Sequence, residues 1–297
     1  MVSMTELAFV KGHGTENDFI LVPDLEDARV LGPEQVSWLT DRRAGLGGDG
    51  VIRVARTETA QEDFVRQQAG EAPYFMDYRN ADGSVSEMCG NGIRVLAAYL
   101  QSSGLVTDER FSIATRGGVK HLRRTDDGYA VDMGPWRLTE PSKAAEFGHD
   151  TLVHIGELAP FSAISVDLGN PHTVVALPEG VDLDGIDLLV PPILNPVAPN
   201  GSNVEFVRPL GPGHVRMRVH ERGVGETRSC GTGACAAALA TSFWATGAVE
   251  DDDAWVVDVP GGTLGVRSLP GQRVELSGPA VLVAEGVVHR GARLGPR

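Results

Sequence analysis

Two short stretches limit what this chain can fold into, because each joins a cysteine to a glycine turn and then to an apolar helix. The first is Met88-Cys89-Gly90-Asn91-Gly92, continuing as Ile93-Arg94-Val95-Leu96-Ala97-Ala98-Tyr99-Leu100. The second is Ser229-Cys230-Gly231-Thr232-Gly233, continuing as Ala234-Cys235-Ala236-Ala237-Ala238-Leu239-Ala240. Glycine permits the tight turn, and the helix N-terminus offers backbone N–H groups and the positive end of the helix dipole. Such a tip binds an anion and lowers the pKa of a nearby thiol. A single copy reads equally well as a helix cap with a small buried cysteine. Two copies in opposite halves predict a duplicated fold whose helix tips serve one substrate.

The second helix runs from Ala234 to Ala245 without a charged residue, which predicts burial on every side. Gly104 and Gly247 are natural stops at the two C-terminal ends. We therefore expect a buried central helix ringed by strands in each half. A length of 297 residues suits two domains better than one core, and 37 glycines with 18 prolines supply the turns of a strand-rich fold.

The formal net charge is −14, from 26 basic and 40 acidic residues, which argues against nucleic acid and anionic membranes as partners. No basic-then-apolar leader and no apolar run long enough to cross a bilayer is present in the sequence. Three cysteines form no disulfide framework and lack paired C-x-x-C zinc spacing, so the expectation is no metal and a reducing, cytoplasmic setting.

In chain order, Leu7–Val10 reads as a strand, and Lys11 to Glu16 as a polar loop that leaves Asn17 at a loop end. An Asx turn made by Asn17 or Asp18 accounts for the same residues. A helix is expected over Pro33–Arg42. Gly45-Leu46-Gly47-Gly48-Asp49-Gly50 lacks G-x-G-x-x-G spacing and does not read as a nucleotide site. Phe75–Arg79 is a strand turned back toward Cys89 by Asn80-Ala81-Asp82-Gly83-Ser84, and a hairpin alone would explain Asn80. Strands follow at 111–115, 119–123 and 129–133, and Gly134–Pro160 reads as a crossover between halves. The second half has strands at 164–168, 173–177, 203–207 and 215–220, then 255–259, 263–267 and 273–276 after its helix, and a last strand at 280–288.

Several motifs occur in a fixed order along the whole chain. They are Gly14-Thr15-Glu16-Asn17-Asp18-Phe19, Asn80-Ala81-Asp82-Gly83-Ser84, Met88-Cys89-Gly90-Asn91-Gly92, Gly169-Asn170-Pro171-His172, Asn203-Val204-Glu205-Phe206, Glu221-Arg222-Gly223-Val224-Gly225-Glu226-Thr227 and Ser229-Cys230-Gly231-Thr232-Gly233-Ala234. With them the chain resembles the diaminopimelate epimerase family. The resemblance implies an α/β (α+β) fold of two pseudo-symmetric domains, each a barrel-like, mainly antiparallel sheet around a central helix. It places residues 1–132 with 277–297 in the first domain and 133–276 in the second, with the active site between them.

The resemblance further implies a pyridoxal-independent isomerase, with no cofactor, that interconverts LL- and meso-diaminopimelate in lysine and cell-wall precursor biosynthesis. It allows a homodimer. It makes Cys89 and Cys230 the acid–base pair, with Cys89 taking the proton from the LL isomer, and gives His172 and Glu221 a part in setting the cysteine pKa values. Asn17, Asn80, Asn170, Asn203, Glu221 and Arg222 resemble the family's substrate-binding residues. Without the resemblance, His172 would read as a loop-packing histidine and Glu221 as a solvated charge.

The chemistry fits these residue types. An α-proton is a very weak acid, so its removal needs a placed base and stabilisation of the carbanion. Inversion is simplest with one group on each face of the carbon. The backbone N–H groups of Gly90, Asn91, Gly231 and Thr232 suit an α-carboxylate, while Arg222 and Glu221 suit a distal carboxylate and ammonium. Cys235 lies within a helix and reads as packing. Where the family often carries Gln after Gly-x-Asp, this chain has Gly50, so no side-chain contact transfers there. A proline or hydroxyproline racemase would not need Arg222, and a thiol-switch protein would not exchange a substrate α-proton.

Overall fold

Short runs rich in Val, Ile and Phe alternate with glycine and polar turns, and such a chain makes strands. A computed structural model describes residues 6–289. The chain divides into two units, Met1–Tyr129 with Ala280–Arg297, and Ala130–Pro279.

The first unit contains β1 (Glu6–Gly14), β2 (Asn17–Pro23), α1 (Pro33–Thr40), β3 (Gly50–Arg56), α2 (Asp63–Arg66), β4 (Tyr74–Asn80), α3 (Gly90–Ser102), β5 (Arg110–Ala114) and β6 (Lys120–Thr125), and takes in the final strand, Val281–His289. β1 pairs antiparallel with β2 on one side and with the final strand on the other. The sheet then continues β2–β3 parallel, β3–β4 antiparallel, β4–β5 parallel and β5–β6 antiparallel.

The stretch from Lys11 to Glu16, expected as a loop, is instead strand up to Gly14, followed by a two-residue turn. Thr15 and Glu16 make that turn with φ of 50° and 61°, the left-handed geometry that matches a two-residue hairpin to strand twist. Asn17 is thereby the first residue of a strand rather than the end of a loop.

The second unit contains β7 (Gly128–Pro135, which begins at the junction), β8 (Arg137–Leu138), α4 (Pro141–Phe147), β9 (Thr151–His154), β10 (Phe161–Asp167), β11 (Pro171–Ala176) and β12 (Ile193–Asn195). It continues with β13 (Asn203–Gly211), β14 (His214–Glu221), β15 (Gly225–Thr227), α5 (Gly231–Thr246), β16 (Ala254–Val259), β17 (Gly262–Leu269) and β18 (Arg273–Gly278). Residues 134–160 are therefore not a bare crossover. β8 and β9 both pair with β10, and Trp244 of α5 donates its indole N–H to Gly148 O at 2.7 Å.

The duplication is visible in the pairing order. The second unit runs β10–β11 antiparallel, β11–β13 parallel, β13–β14 antiparallel, β14–β16 parallel and β16–β17 antiparallel. That is the sequence of β1 to β6. In each unit a cysteine and its helix enter between the fourth and fifth strands of this series.

Each helix is central to its own unit. α5 packs against β10, β11, β13, β14, β16, β17 and β18, and α3 against β1, β2, β3 and the final strand. From Gly231 to Ser242 every residue of α5 except Thr232 is buried, as expected for an uncharged helix that must be surrounded by apolar strands. Gly247 ends it with φ 79° in the left-handed region. Close approach also demands glycine at 92, where a Cβ would stand 3.0 Å from both Ile52 Cδ1 and Met76 Cε.

A buried charge network ties β3 to β4 and the loops behind them. Arg53 pairs with Asp24, Asp27 and Asp77, and Arg116 pairs with Asp77 at 2.7 Å and Glu62 at 2.6 Å. Burial pushes the Asp77 carboxyl up, but Arg116, Arg53 and Arg79 outweigh it and hold the group below the usual carboxylate range.

Candidate active site

In the first unit the helix tip gathers an amide cluster. Cys89 is the N-cap of α3, with extended backbone at φ −137° and ψ 125°. Its Sγ lies 3.7 Å from Asn17 Oδ1, which also accepts from Asn91 Nδ2 at 3.1 Å. Asn17 Nδ2 donates to Asp49 Oδ2 at 2.7 Å, and that same oxygen accepts from the Asp18 backbone N–H at 3.0 Å. Arg42 donates to Asp18 at 2.7 Å and to Asp49 at 2.8 Å. Below the tip, the fully buried Arg94 donates to Gly90 O at 3.1 Å and to Asn91 Oδ1 at 3.0 Å.

Of the expected residues in this unit, Asn17, Cys89, Gly90 and Asn91 are brought together. Asn80 belongs to the neighbouring turn, where its side chain donates to Ser84 Oγ at 2.9 Å. Asp49 was not expected at all, although it lies in the glycine-rich loop that the sequence singled out. At Gly50 a Cβ would stand 2.6 Å from both Arg79 O and Tyr78 Cε2. A longer side chain at position 50 would require that backbone and the Tyr78 ring to shift.

In the second unit Cys230 is the N-cap of α5 and its Sγ accepts from Gly233 N–H at 3.4 Å, with Thr232 Oγ1 at 3.6 Å. Asn170 Nδ2 donates to Thr232 Oγ1 at 3.3 Å. Asn203 donates to Pro171 O at 3.4 Å and accepts from the Arg222 backbone N–H at 2.9 Å. Arg222 is exposed and sends Nη1 to Asn200 O at 2.5 Å. Thr227 Oγ1 donates to Glu221 Oε1.

His172 is not a loop-packing residue. It is on β11, fully buried, with Nδ1 at 2.7 Å from Oε1 of the equally buried Glu205 on β13. A carboxylate only accepts, so the hydrogen between them belongs to Nδ1. Glu205, within the motif Asn203-Val204-Glu205-Phe206, was given no role because a strand of alternating residues ordinarily turns its charges outward. The available signal was its place between Val204 and Phe206 in a parallel-paired strand, where both faces are covered.

One expectation is corrected. A helix tip alone would lower a thiol pKa, yet burial and the nearby Glu221 and Glu205 carboxylates push the Cys230 thiol well above the ordinary cysteine range. The Thr232 hydroxyl and the Gly233 N–H oppose that rise without reversing it. Cys89 is partly exposed, and none of the three cysteines is in a disulfide. Cys235 is buried inside α5.

Each unit thus presents a thiol at a helix tip: Cys89 beside the Asn17 amide, which is held by Asp49, and Cys230 beside the Thr232 hydroxyl, which accepts from Asn170. Such a tip can hold a carboxylate on first-turn N–H groups and move one proton at sulfur.

Comparison with known proteins agrees with this plan. A family model described as diaminopimelate epimerase matches residues 9–139 and 164–283. A diaminopimelate epimerase of Streptomyces coelicolor is 51% identical, over 95% of this chain and 95% of that protein. One of Thermobifida fusca is 45% identical, over 96% and 99%. Among solved structures, a phenazine biosynthesis protein of the PhzF family from Bacillus anthracis has a TM-score of 0.67 at 15% identity, covering 96% of this chain and 99% of that one. A hydroxyproline epimerase from Agrobacterium vitis has a TM-score of 0.63 at 16% identity, covering 97% and 94%. These two share the fold, whereas the two epimerases match this chain at 45–51% identity along nearly its whole length. By those motifs, its paired units and these relatives, the chain belongs to the diaminopimelate epimerase family.

Proposed function

We propose that this isomerase interconverts LL- and meso-diaminopimelate with Cys89 and Cys230 as a thiolate–thiol pair. The observation that carries the reading is the family membership, together with a cysteine at the N-cap of the buried helix in each unit. The Cys89 thiolate takes the α-proton of the LL isomer and becomes a thiol. The Cys230 thiol gives its proton to the opposite face of that carbon and becomes the thiolate. The reverse direction exchanges the roles, and no net proton is consumed.

First-turn N–H groups at Gly90, Asn91, Gly231 and Thr232 hold the α-carboxylate and stabilise the charge that spreads into it. Asn17, Asn80, Asn170 and Asn203 bind the polar ends of the substrate, and Glu221 and Arg222 take its distal ammonium and carboxylate. His172 and Glu221 tune the thiols. The raised proton affinity of Cys230 supports its assignment as the resting acid.

The same reading carries a cytoplasmic setting, since two working thiols must stay reduced. It also carries a homodimer, supported by Val281, Val283 and Val287, which stand exposed at alternating positions along the final strand. Sedimentation of the purified protein tests that part. For the reaction itself, LL-diaminopimelate incubated in deuterated water should gain deuterium at one α-carbon as meso product forms. Product formation without solvent deuterium would overturn the proton-transfer mechanism.

A further inference from the structure

We propose that Glu205 is a positioning residue of this reaction: bonded to His172 and lodged against the first turn of α5, it keeps Cys230 in the protonated form that an acid needs. The proposal rests on the reading of Cys230 as proton donor and adds a residue to which that reading gives no part.

The geometry is fixed by Gly233. A Cβ at that position would stand 2.7 Å from Glu205 Oε1 and 3.2 Å from Cys230 Sγ. Carboxylate oxygen and sulfur are therefore separated by no more than the sum of those two distances, with only a glycine between them. A side chain at 233 would fill the gap and part them. Glu205 and His172 are both fully buried, and their 2.7 Å bond anchors Oε1. Glu205 Oε2 and His172 Nε2 have no hydrogen-bond partner among the described residues.

A buried carboxylate so close to sulfur repels a second negative charge through a medium of low dielectric. It also lies at the N-terminal turn, where it draws on the same positive helix end that would otherwise stabilise the thiolate. Both effects favour S–H over S⁻. Of the strands packed on α5, β11 brings His172, β13 brings Glu205 and β14 brings Glu221 to this region. Other charges on these strands are engaged elsewhere: Asp258 with His214, Arg267 with Glu275, Asp167 with Arg137, Arg216 with Asp184, Arg218 with Glu226, Arg273 with Asp132, and Arg208 with Pro178 O. Arg228, two residues before Cys230, donates to Pro260 O. Glu221 adds to the effect from β14, but it is bonded to Thr227 and only partly buried, whereas Glu205 is locked in place.

The test is a thiol titration without substrate. In the C89A/C235A protein, Cys230 is the only cysteine, and its thiolate absorbance can be followed against pH with the triple cysteine-to-alanine protein as blank. The midpoint should lie above the ordinary cysteine value of ~8.5. Glu205→Gln in this background should lower it by about one unit, a roughly tenfold rise in thiolate at a given pH, with Glu221→Gln measured in parallel. In the otherwise unaltered enzyme, Glu205→Gln should move the alkaline fall of kcat/KM to lower pH, and Glu205→Asp should restore part of it. A midpoint at or below ~8.5 in the parent overturns the proposal even if the Gln variant does not fold. So does an unchanged midpoint in folded E205Q while E221Q shifts. If the midpoints shift as stated but diaminopimelate is not turned over, the functional reading falls and the relation between Glu205 and Cys230 stands.

Discussion

Asn17 Nδ2 gives a hydrogen to Asp49 Oδ2 at 2.7 Å, and that bond fixes which end of the amide meets Cys89. With nitrogen committed to Asp49, the oxygen faces the sulfur and the Asn91 side chain. Asp49→Asn offers the amide a donor as well as an acceptor and so permits the flipped orientation. We expect about a tenfold loss in kcat/KM for LL-diaminopimelate, ~1.4 kcal/mol in the barrier. Melting temperature should change little. Unaltered kinetics would mean that Asp49 supports only the loop.

Cys89→Ala and Cys230→Ala should each abolish epimerisation with the fold retained, because a single base cannot deliver a proton to the opposite face. Cys235→Ala should keep most activity and cost about 1 kcal/mol of stability, as a small buried group is removed from packing. Turnover assays and thermal melts of the three variants separate these roles. Near-normal turnover in either of the first two removes the two-base mechanism.

Gly50→Gln installs the residue that the family often carries, but on this backbone its Cβ would meet Arg79 O and the Tyr78 ring. Overpacking of this kind typically costs about 1–3 kcal/mol. An unfolding free energy lowered by that amount in chemical denaturation is the expected result. Equal stability would show that β4 yields easily at Arg79.

Arg222→Lys should raise KM for diaminopimelate about tenfold or more while leaving the melting temperature near that of the parent. A planar fork is replaced by a point donor, and the residue is exposed and held by a backbone bond to Asn203 that lysine would keep. An unchanged KM would make Arg222 a support for the Asn200 loop.

Acid sensitivity should trace partly to Asp77. Its native pKa lies below the unfolded value of 3.8, so its contribution is complete above that value and drains away as pH falls through the native one. Asp77→Asn leaves Arg53 and Arg116 short of a counter-charge and should cost about 3 kcal/mol or more at neutral pH. The same variant should show a shallower loss of stability below pH ~4. Urea unfolding at two pH values measures both effects. An equal acid slope in parent and variant would place the sensitivity elsewhere.

The two central helices were legible because nothing else explains a chargeless run such as Ala234–Ala245 after a glycine turn. Strands built on Val and Ile alternation were also legible, to within a few residues at their ends. The Lys11–Glu16 stretch was not, since His13, Thr15 and Glu16 look like loop, and only pairing with Asp18 and Asn17 reveals a hairpin. Residues 134–160 looked like a linker because of their proline and charge content, while β8 pairs with β10 across about 28 residues and β9 is only four residues long. The cysteines at the two helix tips, and Asn17 beside Cys89, were picked out by spacing and family motifs. Glu205 lay within a motif and Asp49 within the glycine-rich loop, but what each touches depends on burial and contact, which a linear reading does not supply.

The final strand has a consequence for how the chain reaches its native state. β1 is flanked by β2 on one side and by Val281–His289 on the other, with pairs running from Glu6 with His289 to His13 with Val281. The second unit is continuous, Ala130–Pro279, and holds all of its strands before that last segment is made. On a ribosome the first unit therefore begins synthesis first and finishes its sheet last. Until then β1 offers an open edge, the part of an unfinished protein most exposed to wrong pairing.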